Sequence, residues 1–153
     1  MGRACLFVFA LLMCSSQVFA SRYYYDNGRS TGSSYFWNNG VGPGSYYYWN
    51  LGIGMGSRYY WEKGQSVGSQ YQWVNGYGVG SLNYWNTAYG VGSLEYWQAG
   101  NQVTSCFYWE GGRGPSLLPI PEIGLSFYFQ DGRLAGVLNV IPDPTKSCLD
   151  DLK

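Results

Sequence analysis

From Ala20 to Pro115 the chain repeats one order of polar, aromatic and glycine positions every twelve residues. Eight blocks follow one another without insertion or deletion, each close to Gly-Ser-x-Tyr-Tyr-Trp-x-Asn-Gly-x-Gly-Val. Serine holds the second position throughout, from Ser21 and Ser33 to Ser105. The sixth position is Tyr25 and then Trp37, Trp49, Trp61, Trp73, Trp85, Trp97 and Trp109. A strict period of this kind makes the blocks structural equivalents of one another. Aromatic segments such as Ser57-Arg58-Tyr59-Tyr60-Trp61 favour extended backbone and show no 3.6-residue period, so each predicts a short strand. Glycine at the ninth position in seven of the eight blocks, often after asparagine as in Asn75-Gly76, predicts hairpin turns with positive φ.

The predicted fold class is therefore all-β. Two architectures fit: an antiparallel meander in which each block is one hairpin, which the Asn-Gly turns favour, and a solenoid with twelve-residue coils. Equivalent residues would be about 9.6 Å apart in the first and about 4.8 Å apart in the second. Both put positions two, four and six on one face, because side chains alternate along a strand. The tyrosines Tyr35, Tyr47, Tyr59 and Tyr71 would then share a face with the tryptophans, and rings at position five, such as Tyr60 and Tyr108, would face the other way.

Past Pro115 the pattern turns aliphatic. Residues 116–121, Ser-Leu-Leu-Pro-Ile-Pro, predict an extended connector, because proline excludes helix and restricts its predecessor. Two apolar runs, 125–129 and 134–141, flank Gln130-Asp131-Gly132-Arg133, a second hairpin signature. The tail, residues 116–153, is expected to cap the repeat array and to fray at its polar end.

Residues 1–20 carry one basic residue, Arg3, an apolar run over 4–14 and the end Val18-Phe19-Ala20. This predicts a secretory signal cut after Ala20; an apolar run of eleven residues is far short of the roughly 20 that cross a bilayer. Membrane residence is not expected. Cys5 and Cys14 leave with the leader, and Cys106 and Cys148 remain to form one disulfide between the last block and the tail, with intermolecular pairing as the alternative. With Arg3 gone, eight basic side chains meet nine acidic ones, which gives no electrostatic footprint for nucleic acid and no acidic mineral-binding tract.

Catalytic chemistry finds little to work with. The chain has no histidine, which removes the usual triads and imidazole metal sites. Glu62, Glu95 and Glu110 are expected as solvated side chains, and no cofactor is expected. The rows of rings are the remaining candidates. Tyrosines are open to oxidative curing, and tryptophans to stacking on sugar rings of a polysaccharide such as chitin; the competing roles are strand formation and internal packing. The candidate stacking and assembly residues are the seven tryptophans with Tyr35, Tyr47, Tyr59 and Tyr71.

A leader followed by short-period Gly-Tyr-Ser repeats, few charges and one cysteine pair resembles the secreted structural proteins of invertebrate extracellular materials, molluscan shell-matrix framework proteins in particular. The resemblance spans residues 21–115. It implies a non-enzymatic component of an extracellular organic matrix that associates with itself, with other matrix proteins and with chitin or a similar polymer. A secreted polysaccharide-binding module is the alternative, and an ice- or mineral-surface binder a third.

Overall fold

The computed structural model describes residues 22–114, 117–130, 133–143 and 145–150. The expected leader lies outside them, as do Ser21 and the Asp131-Gly132 turn. The all-β expectation, as meander or as solenoid, is overturned: each block forms a short helix. Among the described residues these are α1 (Arg22–Asn27), α2 (Ser34–Asn39), α3 (Tyr46–Leu51), α4 (Arg58–Lys63), α5 (Gln70–Asn75), α6 (Leu82–Thr87), α7 (Leu94–Ala99) and α8 (Cys106–Gly111). The tail adds β1 (Leu117–Ile120), a 3-10 turn (Pro121–Ile123), β2 (Leu125–Gln130) and β3 (Arg133–Leu138).

The block serine explains why six residues hold as a helix when isolated helices of that length do not survive in water. Ser57 is the N-cap of α4: its Oγ accepts from the Tyr60 N–H at 3.1 Å and donates to the Gly54 carbonyl at 2.6 Å. The same acceptor bond, at 3.1–3.2 Å, starts every helix from α2 to α8. These hydroxyls are buried, so each satisfies an orphan helix-end N–H that water does not reach. The ninth-position glycine ends the helix as its C-cap with φ near −75°, not in the positive-φ hairpin geometry expected. Glycine suits the close approach of most blocks, although α6 ends on Ala88. A Cβ on Gly52 would meet the Tyr48 carbonyl at 2.6 Å and the Tyr48 ring at 2.8 Å. Positive φ belongs instead to the first position, as at Gly56 and Gly68 with φ of 91°.

Strand periodicity fails for a geometric reason. Four large side chains in a row would load both faces of a strand with rings, whereas a helix turns them by about 100° per residue. Positions four and six, neighbours on one strand face, then point to opposite sides. Tryptophan goes inward and tyrosine goes out.

Successive helices pack side by side, and the array comes back on itself so that α1 meets α8. The seam repeats the ordinary neighbour relation. Arg29, at the tenth position of the first block, lies 5.2 Å from the Tyr35 ring centre of the second, and Arg113 of the eighth lies 5.3 Å from Tyr23 of the first. Third-position side chains lie against the preceding block's tryptophan, as Tyr46 does on Trp37 at 5.7 Å and Arg58 on Trp49 at 5.9 Å. At the seam, third-position Arg22 pairs with Glu110 at 2.8 Å, and the Tyr25 and Trp109 ring centres are 6.5 Å apart. Closing the array leaves no terminal repeat to be capped.

The tail sits among the inward tryptophans. Its strands form one antiparallel sheet in the order β1-β2-β3, with Leu118 opposite Phe127 and Phe127 opposite Val137. Every residue of β1 and Leu125–Tyr128 of β2 are buried at consecutive positions, so both faces of the sheet are covered. Phe127 lies 6.5 Å from both Trp49 and Trp61, and Trp73, Trp85, Trp97 and Trp109 belong to the same core with Leu118, Ile120, Val137 and Leu138. Cys106 and Cys148 are joined with a Cα separation of 6.1 Å and fasten the end of the tail to α8.

Candidate functional site

Helix geometry sorts the candidate rings by depth. Trp49, Trp61, Trp73, Trp85, Trp97 and Trp109 are all buried, none more than 8% exposed, and Trp37 is half-buried. The six buried rings are wall and core, and Trp37 has Tyr46 against its ring. The expected sharing of one face by tryptophan and tyrosine does not occur. Tyr35, Tyr47, Tyr59 and Tyr71 lie outside, 49–56% exposed, with Tyr23 and Phe107 at the same phase. Six blocks thus carry an exposed ring at position four, forming a belt around the closed array.

Rings at position five belong to neither set. Tyr48, Tyr60 and Tyr96 fold back over the C-cap glycines of their own helices and are half-buried. Burial pushes the Tyr108 phenol up to about 12. Tyr128, on the sheet, also rises to about 12, through burial first and then the nearby Tyr84. Tyr25 at the seam is raised by burial and, to a smaller extent, by Asp26. None of these three is part of the exposed belt.

Glu110 corrects another expectation, that the acidic side chains stand free in solvent. It is 16% exposed and ties three segments together. One oxygen receives Arg22, and the other accepts the Cys148 N–H at 2.9 Å. Arg22 also donates to the Lys146 carbonyl at 3.0 Å. First block, last block and tail converge here beside the disulfide. Glu62 and Glu95 are exposed, as expected.

An open hollow of about 420 Å³ lies between the sixth and seventh blocks and the tail, bounded by Trp85, Leu94, Trp97, Asn139, Asp143 and Lys146. Asp143 and Lys146 face each other across 3.9 Å at its exposed rim, and hydrogen bonds from the Thr145 side chain and backbone lower the Asp143 carboxyl. Among the described residues no group of histidine, cysteine and acidic side chains is arranged to hold a metal ion, and no helix is long and apolar enough to cross a membrane.

The sequence reading passed over Val41, Leu51, Ile53 and Met55, all strongly exposed on the second and third blocks. Their signal was available as an absence: no charged residue occurs between Arg29 and Arg58. No protein-family model, curated protein or solved structure matches this chain.

Proposed function

We propose that the chain is a secreted structural component of an extracellular organic matrix, and that its outer aromatic belt is the surface through which it associates. The observation that carries this reading is the division of labour among the rings. Folding uses the inward tryptophans and the aliphatic sheet, so Tyr23, Tyr35, Tyr47, Tyr59, Tyr71 and Phe107 are left half exposed with no part in the core. Exposed rings in regular rows mark contact surfaces, and a near-neutral chain meets its own copies without strong repulsion. The closed array and the Cys106–Cys148 link suit a building unit that keeps its shape outside the cell. Association through β repeats is replaced by association through helix faces.

The exposure of the tyrosines also favours a second reading, a polysaccharide-binding module, with the sugar contact carried by the belt and not by tryptophan. One experiment separates them. Residues 21–153 and a variant with Tyr35, Tyr47, Tyr59 and Tyr71 all changed to serine are compared for retention on insoluble chitin and for extraction from the tissue of origin. Extraction of the native protein only by denaturant, with little saturable chitin retention, supports the matrix reading. Release into plain buffer contradicts it, and saturable chitin binding lost in the four-serine variant establishes the module.

A further inference from the structure

The exposed apolar surface is not evenly spread around the array. The third block, residues 44–55, alone exposes Tyr46, Tyr47, Leu51, Ile53 and Met55. Val41 precedes it and Tyr59 follows it. The tenth-position side chain of one block lies by the fourth-position ring of the next, as Arg29 does by Tyr35 and Arg113 by Tyr23. By the same relation Val41 adjoins Tyr47 and Ile53 adjoins Tyr59, and Leu51, one helical turn beyond Tyr47 on α3, shares its face, so these five side chains form one outward sector from the α2–α3 connection to α4. The sector's charged borders, Arg29 and Arg58, lie over the rings of Tyr35 and Trp49.

Leu51 and Ile53 are 66% and 75% exposed. Val41, Tyr47 and Tyr59 are 55–69% exposed. Neighbouring large apolar side chains exposed to this degree mark a contact surface. A partner of opposite charge would find nothing to read between residues 30 and 57. The Tyr59 end carries exposed Arg58, Glu62 and Lys63, whereas the part from Val41 to Ile53 has no charge and is complementary to itself, since a two-fold axis through it brings no like charges together.

We propose that this sector is the two-fold contact between two copies of the chain, with Leu51 and Ile53 near its centre. The inference deepens the assembly reading above by naming one partner, a second copy, and one face, and it is tested separately from that reading. Sedimentation velocity is run on residues 21–153 from about 1 to 100 μM, on Leu51→Asp, on Ile53→Asp and on Tyr89→Ser, an exposed ring outside both the belt and the sector. Both aspartate substitutions fall on exposed side chains, and circular dichroism verifies that the fold persists. The native chain and Tyr89→Ser are expected to be dimers, and each aspartate variant a monomer with a dissociation constant raised at least 100-fold, because two unpaired carboxylates would be buried at the contact. A native monomer at 100 μM overturns the proposal, as does a dimer or larger assembly that both aspartate variants retain. Recovery of a discrete dimer from the tissue in plain buffer would sink the matrix reading and leave the dimer standing.

Discussion

Replacing Ser57 by alanine tests whether the block serine is a helix cap. The hydroxyl is wholly buried, accepts from the Tyr60 N–H at 3.1 Å and donates to the Gly54 carbonyl at 2.6 Å. The Gly54 carbonyl keeps the Ser57 N–H at 3.1 Å, so the change orphans one group, the Tyr60 N–H. Loss of an N-cap and of one buried acceptor costs about 1–2 kcal/mol, which for a chain of this size lowers Tm by roughly 3–6 °C. Urea unfolding followed by circular dichroism measures it, with Ser34→Ala as the control. Ser34 is the first residue of α2, not its cap, and its replacement should stay within about 0.5 kcal/mol. Equal and negligible effects at both positions would refute the capping argument, since a half-exposed strand serine has little to lose.

Four further outcomes follow from the same packing. Trp61→Ala should cost about 3–5 kcal/mol by opening a cavity beside Phe127, while Tyr59→Ser, two residues away, should stay within about 0.5 kcal/mol, both read by denaturant titration. Thr104 replaces the first-position glycine at φ of 71°, and its buried hydroxyl has no partner, so Thr104→Gly should stabilise by about 1 kcal/mol and raise Tm in calorimetry. Cys148→Ser should cost up to about 4 kcal/mol, from the loop-closure entropy of a cross-link spanning 42 residues, read by comparing unfolding curves with those of the reduced native chain. The phenols of Tyr108 and Tyr128 are raised from 10.0 to about 12, so the unfolded chain loses these protons first as pH rises. Their contribution to stability is complete below pH 10 and is lost between pH 10 and about 12, and Tm measured across that window should fall steeply.

The block phase was legible in the sequence, and so was the scarcity of aliphatic side chains in the repeats. That scarcity is explained by the tail: Leu118, Ile120, Val137 and Leu138 supply the centre against which the tryptophans pack. The antiparallel pairing of β2 and β3 was legible too, from two apolar runs flanking an Asp-Gly hairpin signature. Helix was not legible by periodicity, because six residues make less than two turns and no 3.6 repeat has room to show. The available signal was the frame, serine at position two and glycine at position nine, which brackets six residues as N-cap and C-cap. Tyrosine and tryptophan lean towards strands, but here inward packing and buried caps outweigh that preference. The tail's place inside the array and the seam through Arg22 and Glu110 join residues 88 apart, which local pattern does not encode.

Eight short helices, seven of them with a serine cap among the described residues, close on themselves around the tail's sheet, with tryptophan inward and the fourth-position rings outward. Nuclear Overhauser spectroscopy of residues 21–153 tests this arrangement most directly at the seam, where the Tyr25 and Trp109 ring centres lie 6.5 Å apart. Cross-peaks between these two rings are expected, with helical Cα shifts over residues 58–63 and 70–75. Strand-like shifts over those segments, with no contact between Tyr25 and Trp109, would contradict it.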